Sequence, residues 1–140
     1  MGDIAKPHAP KEHIPIPSET EAVGKRILDA AYRVHTALGP GLLENVYEIC
    51  LAYELRKSGL LVETQVVLPV VYQEVRIESG LRLDMLVENQ VVVELKAVEN
   101  IVPLYEAQLI TYLKLSGKRL GFLFNFNTLH LKDGFKRLVI

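Results

Sequence analysis

Hydrophobic residues along this chain keep two rhythms. Val23, Ile27, Ala30, Ala31, Val34 and Leu38 recur every three or four positions, which predicts a helix with one apolar face. Ser18 and Glu21 stand at capping-box spacing at its start, Gly24 weakens it slightly, and Gly39-Pro40 stops it. A second helix is predicted over roughly 43–58, closed by Gly59. The rhythm then shortens to that of strands, in segments at about 61–72, 80–88 and 91–98. Pro69 marks the first of these as an edge strand or a strand with a break. Pro103 opens a third helix over about 104–116, its apolar face carried by Leu104, Ala107, Ile110 and Leu113, and Gly117 ends it. A further strand covers 118–126, with Leu120, Phe122, Phe124 and Phe126 alternating. Asp133-Gly134 is a turn before a closing strand or tail. The order ααβββαββ, with middle strands apolar on both faces, predicts an α/β protein: a mixed sheet covered by helices on both sides.

A chain of 140 residues suits one domain with a substantial core. Four of the seven prolines fall in the first 17 residues, so residues 1–18 read as a flexible tail and 19–140 as a single domain. The net charge of −1 makes no electrostatic case for a nucleic-acid partner, but its distribution is uneven. Residues 39–112 carry five basic and eleven acidic side chains. Residues 113–140 carry six basic ones (Lys114, Lys118, Arg119, Lys132, Lys136, Arg137) against Asp133 alone. That suits a cation site beside a phosphate-contacting surface, or simply a solvated polar exterior. Cys50 is the single cysteine, which excludes an internal disulfide and a cysteine-based zinc site; it reads as a small buried hydrophobe in a cytoplasmic protein. No apolar run reaches membrane-spanning length, and neither a signal peptide nor a myristoylation signal is present. His8, His13, His35 and His130 lack ligand spacing, and no glycine-rich phosphate loop occurs.

The most informative stretch is Asp84 to Ala97, DMLVENQVVVELKA, where an apolar hairpin carries Asp84, Glu94 and Lys96. Such residues are rarely buried unless paired. A three-residue loop at 88–90 would pair Val87 with Val91 and set Asp84 opposite Glu94; a two-residue loop would put them on opposite faces. Glu94 and Lys96 share a face in either register. Two close carboxylates repel unless a cation lies between them. An all-oxygen donor set points to Mg²⁺ or Mn²⁺, and Lys96 beside it could orient a water or hold a phosphate. That is equipment for metal-assisted phosphodiester hydrolysis. The plain alternative is a surface hairpin with a cross-strand salt bridge.

Two other groupings bear on the choice. Glu44, Tyr47 and Glu48 lie on one face of the second helix, where Glu44 or Glu48 could supply a further metal ligand, directly or through water. Gln108 and Tyr112 form a stripe on the third helix that could line a polar site for nucleic acid. Phe122, Phe124 and Phe126 are expected in the core rather than as a stacking platform.

Taken in order, Asp84, Glu94-Leu95-Lys96 and Gln108-x-x-x-Tyr112 resemble the PD-(D/E)XK nuclease superfamily, specifically its RecB-like branch with a QxxxY helix. Gly41-Leu-Leu-Glu44-Asn-Val-Tyr47 is similar to the signature of the GxxExxY proteins, a small branch of that superfamily, and the resemblance runs from about Ala22 to Val139. It implies a restriction-endonuclease-like αβββαβ core with an extra N-terminal helix. It implies that Asp84, Glu94 and the Leu95 carbonyl bind metal, that Glu44 completes the site, and that Lys96 assists the nucleophilic water. Gln108 and Tyr112 would contact DNA or order the site. A nuclease with no appended domain is expected to act as a homodimer if it cuts duplex DNA, and a non-catalytic binding module on the same fold is the alternative. The chain departs from the pattern at Tyr105, where the family often places His, and at Leu83, where the superfamily's proline would stand.

Overall fold

The computed structural model describes residues 14–140. Most of the Pro-rich segment expected as a tail, with His8 and His13, lies outside the described residues. The element order is α1 (Ser18–Leu38), α2 (Glu44–Lys57), β1 (Val62–Tyr72), β2 (Val75–Val87), β3 (Val91–Lys96), α3 (Pro103–Ser116), β4 (Leu120–Asn125), a short 3-10 turn at Leu131–Asp133, and β5 (Phe135–Val139). The expected succession of elements is present, with β2 starting five residues earlier than the sequence pattern indicated.

The capping box is not formed. Pro17 is the N-cap of α1 and makes no side-chain cap bond, so Ser18 is already helical. Glu21 instead pairs with Arg137 of β5. Between α1 and α2, Gly39 and Gly41 take φ values of 70° and 99°, which side-chain-bearing residues rarely adopt. Tyr47 latches this turn. Its hydroxyl donates to the Gly39 carbonyl (2.7 Å) and accepts from the Leu42 N–H (3.0 Å), while its ring stacks on Phe126 at 4.7 Å.

The five strands form one mixed sheet in the order β1-β2-β3-β4-β5. Its one parallel pair is β3–β4, joined through α3; the other neighbours run antiparallel. Each face of the sheet buries a separate apolar cluster. On one, α1 and α2 contribute Ile27, Ala30, Val34, Leu51 and Leu55 against Met85, Val93, Leu95, Phe122, Phe124 and Phe126. On the other, Leu109 and Leu113 of α3 cover Leu83, Leu86, Val92 and Leu123. The three phenylalanines are therefore core, as expected. Cys50 is half-buried against the first cluster rather than fully inside it.

The predicted face of α3 holds at Leu113 but fails at Leu104 and Ala107. Leu104 is 72% exposed and Ala107 is exposed, whereas Leu109 and Leu113 are buried with Tyr105 and Tyr112 packed beside them. Apolar residues occur all round this helix, so spacing alone did not select the buried side. The true stripe brings Gln108 and Tyr112 to the margin of the sheet.

Beyond the layered core, β1 and β2 continue as a two-stranded hairpin whose residues 71–80 are all exposed. Its register slips between Leu68 and Val70, where Leu68 faces Leu81 but Val70 faces Ile77. Pro69, lacking an N–H, sits at the slip. Gly80 allows the close approach this needs: a Cβ there would lie 2.4 Å from a Val70 methyl and 2.8 Å from the Val70 nitrogen. Gly80→Ala is therefore expected to destabilise the protein by about 1–3 kcal/mol, read as a lower urea midpoint at unchanged slope.

Candidate active site

The hairpin loop Glu88–Gln90 has three residues, with Val87 paired to Val91 and Met85 to Val93. The same register sets Asp84 opposite Glu94, but the ladder stops at Met85 and the strands part. Side chains take over the exposed backbone donors there. The Asp84 N–H donates to Glu94 Oε1 at 3.1 Å, and the Leu95 N–H donates to Asp84 Oδ2 at 2.9 Å. Two N–H groups freed by the splay would otherwise be buried without partners, so each carboxylate satisfies the strand that carries the other.

The strand itself turns over at this point. Met85 and Val87 face α1 and α2, while Leu81 and Leu83, of the same parity, face α3. On β1, Gln65 falls between the pairs Thr64–Met85 and Val66–Leu83 and takes φ 53°, a left-handed conformation costly for glutamine. Its side chain donates to Glu48 Oε1 at 2.8 Å. Gln65 was not singled out from the sequence, where nothing distinguishes it from an ordinary polar strand residue.

Glu94 is 4% exposed, and its carboxyl is pushed up to about 9, first by burial and then by the Asp84 charge beside it. Glu44, the first residue of α2, is also shifted upward, by burial and then by Asp84; Lys96 opposes the shift and Glu48 adds to it. Tyr112 is raised by burial and by Glu94, and its hydroxyl accepts from Gln108 Nε2 at 2.9 Å. Charges of Asp84, Glu94 and Lys96 thus act on residues of α2 and α3 from opposite sides of one site. Leu95 buries its side chain in the α1–α2 cluster, so only its backbone is available here.

Lys96 does not form the cross-strand salt bridge of the plain alternative. Among the described residues the ion pairs are Arg33–Glu54, Arg76–Glu78 and Arg137–Glu21. The Lys96 ammonium lies over the Tyr105 ring, 4.6 Å from its centre. Tyr105 thus sets an aromatic ring where the family often places a histidine; the departure was visible in the sequence, and its contact with Lys96 was not. Asn125 was also missed. It pairs in register with Lys96, and its buried amide accepts from the Val98 N–H (3.1 Å) and donates to the Val98 carbonyl (2.9 Å). A lone Asn in the apolar run of β4 was its signature.

Only part of the basic C-terminal region lies away from this site: Lys136 pairs with Leu123, which is itself in register with Glu94. Lys118 and Arg119 precede β4, at the end of the sheet opposite Lys96, where Lys118 donates to Asn89 and Arg119 to the carbonyls of Ile14, Pro15 and Ile140. Arg137 is paired with Glu21, and Lys114 lies in the last turn of α3. Adjacency in sequence did not become adjacency in space, because α3 carries the chain back across the sheet. A shallow pocket of about 290 Å³ bounded by Asn45, Glu48, Arg56, Thr64 and Gln65 lies along α2 and β1.

A family model described as the PD-(D/E)XK nuclease superfamily matches residues 21–138. The chain belongs to the PD-(D/E)XK nuclease superfamily. No curated protein and no solved structure matches it in the same comparisons. Its mixed five-stranded sheet with flanking helices is the restriction-endonuclease-like arrangement of that superfamily, with α1 as the additional N-terminal helix. Members of the PD-(D/E)XK superfamily generally use divalent metals. Among the described residues, no three His, Cys, Asp or Glu side chains converge as a ready metal cage. Asp84 and Glu94 nonetheless fit such an ion: they are all-oxygen donors, each with a second oxygen outside the backbone bonds above. Two carboxylates, with water and phosphate oxygens in the other positions, suit Mg²⁺.

A pH dependence follows from Glu94. In metal-free protein the folded state keeps its proton up to about pH 9, whereas the unfolded chain releases it near 4.5. The folded state therefore binds more protons across that window, and the contribution of Glu94 to stability falls as pH rises through it. The melting temperature in chelator should drop between pH 5 and pH 9, and Glu94→Gln should flatten that drop.

Proposed function

We propose that the single domain expected over 19–140 is a metal-dependent nuclease that hydrolyses phosphodiester bonds, with DNA as substrate. The observation that carries this reading is the meeting of half-buried Asp84 with buried Glu94, whose carboxyl is pushed up by burial and by the Asp84 charge, a cost that a bound cation would relieve. Asp84, Glu94 and the Leu95 carbonyl would hold Mg²⁺ or Mn²⁺, with Glu44 completing the set from α2. Glu44 is favoured over Glu48 because Asp84 and Lys96 act on it, while Glu48 is engaged by Gln65. The bound cation would polarise a phosphoryl oxygen and lower the pKa of the attacking water. Lys96, steadied over Tyr105, holds the water or a phosphate oxygen against the scissile bond. Gln108 and Tyr112 line the α3 side and order the site or touch the substrate backbone.

The sequence Gly41-x-x-Glu44-x-x-Tyr47 supports the GxxExxY branch, with Tyr47 acting as the latch of the turn. A single half-buried cysteine suits a cytoplasmic setting. One site cuts one strand, so cleavage of duplex DNA calls for two copies. The commitment of Lys118, Arg119 and Arg137 elsewhere favours a second reading, a non-catalytic module that keeps the fold for binding.

The two readings separate cleanly. As a nuclease, the protein should bind Mg²⁺ or Mn²⁺ saturably by calorimetry, and Asp84→Asn should abolish binding at an unchanged metal-free melting temperature. Lys96→Ala should lower cleavage of DNA by at least about 100-fold with folding intact. Metal binding without cleavage of any single- or double-stranded substrate would favour the binding module.

A further inference from the structure

We propose that the outer edge of β2, in the projecting hairpin, pairs with the same edge of a second copy of this chain, antiparallel and centred on Ile77. The edge is open because β3 pairs only with Met85–Val87, so β2 has no strand neighbour on that side from Val75 to Asp84. The hairpin is also poorly covered. Val71, Tyr72, Val75 and Ile77 are 59%, 68%, 56% and 48% exposed. Val70, Tyr72, Val75 and Ile77 share one face through the pairs Val70–Ile77 and Tyr72–Val75. A two-stranded ribbon presenting this much apolar surface is weakly stable without a further strand. Protein edges of this kind are commonly blocked by Lys, Pro, bulges or like charges; from Val75 to Ser79 β2 carries neither Lys nor Pro, its two charges are of opposite sign, and its slip against β1 begins only after Ile77.

The charge pattern selects the occupant. Arg76 and Glu78 flank Ile77 with opposite signs, and within one copy they pair with each other at 2.6 Å while largely exposed. Antiparallel pairing about a two-fold axis at Ile77 sets Arg76 opposite the partner's Glu78, and Glu78 opposite the partner's Arg76. Both contacts are attractive, and the pattern is complementary to itself, as an isologous interface requires. Nucleic acid is a poor occupant, because residues 71–78 hold Glu74 and Glu78 against Arg76 alone. The paired edges join two five-stranded sheets into one and carry an Asp84–Glu94 pair on each side. This assembly does not depend on catalysis; only its use for two-strand cleavage rests on the nuclease reading.

Sedimentation equilibrium of the full chain tests it without reference to activity. Wild type should sediment as a dimer, and Arg76→Glu or Glu78→Arg alone should weaken dimerisation roughly tenfold or more, since each places like charges opposite one another twice. The double swap of both residues should restore it. Ile77→Cys in a Cys50→Ser background should form a covalent dimer on mild oxidation, and Ser79→Cys in the same background should not. At protein concentrations too low for dimerisation each variant should melt close to wild type, because the changed side chains are exposed and their ion pair is at the surface. A monomeric wild type, a dimer indifferent to both single substitutions, or a double swap that fails to restore it would each overturn the proposal. Failure of cleavage with intact dimerisation would count against the nuclease reading alone.

Discussion

Everything near the candidate site depends on two crossed bonds, from the Asp84 N–H to the Glu94 carboxyl and from the Leu95 N–H to the Asp84 carboxylate. Where β2 and β3 separate, the ordinary ladder can no longer satisfy the backbone, and buried N–H groups left alone are costly. Each strand answers with a carboxylate that accepts from the other. The carboxylates close the hydrogen-bond account of the splay, and each keeps a second oxygen outside these bonds. Burial makes the charge of Glu94 expensive, and the neighbouring Asp84 adds to that cost.

Around that crossing the fold supplies support from three directions. The latch at Tyr47 fixes the turn that begins α2 and so positions Glu44. The Asn125 clamp on Val98 and the bond from the Phe126 N–H to the Lys96 carbonyl hold the end of β3. From the other face, α3 brings Tyr105 to the Lys96 ammonium and Tyr112 toward Glu94. The two apolar clusters are the rigid walls to which these parts are attached.

Most of the fold was legible because its signals are local. Pro103, Gly39, Gly59 and Gly117 mark the limits of helices, and the Phe122–Phe126 alternation reads directly as a strand. The meeting of Asp84 and Glu94 was legible through parity alone, once a three-residue loop was assumed. What escaped reading depends on three-dimensional competition. Pro17 displaced Ser18 from the cap, and Arg137 drew Glu21 away. α3 is apolar on several sides, so only the sheet decides which side is buried. The early start of β2 was hidden because residues 75–79 carry polar and glycine-flanked positions that resemble a loop. Tyr105, Gln65 and Asn125 are ordinary residues until the neighbouring strand or helix is present.

The double duty of Asp84 and Glu94 has an evolutionary corollary. Because the same two side chains repair the broken ladder, selection for folding alone would hold them in place. A descendant that had given up cleavage would go on displaying the acidic pair, while Lys96, whose ammonium meets only an aromatic ring, would be free to drift. Under the nuclease reading proposed above, the lysine would therefore be the sharper marker of a living catalyst among relatives of this chain, and the carboxylates the marker of an intact hairpin.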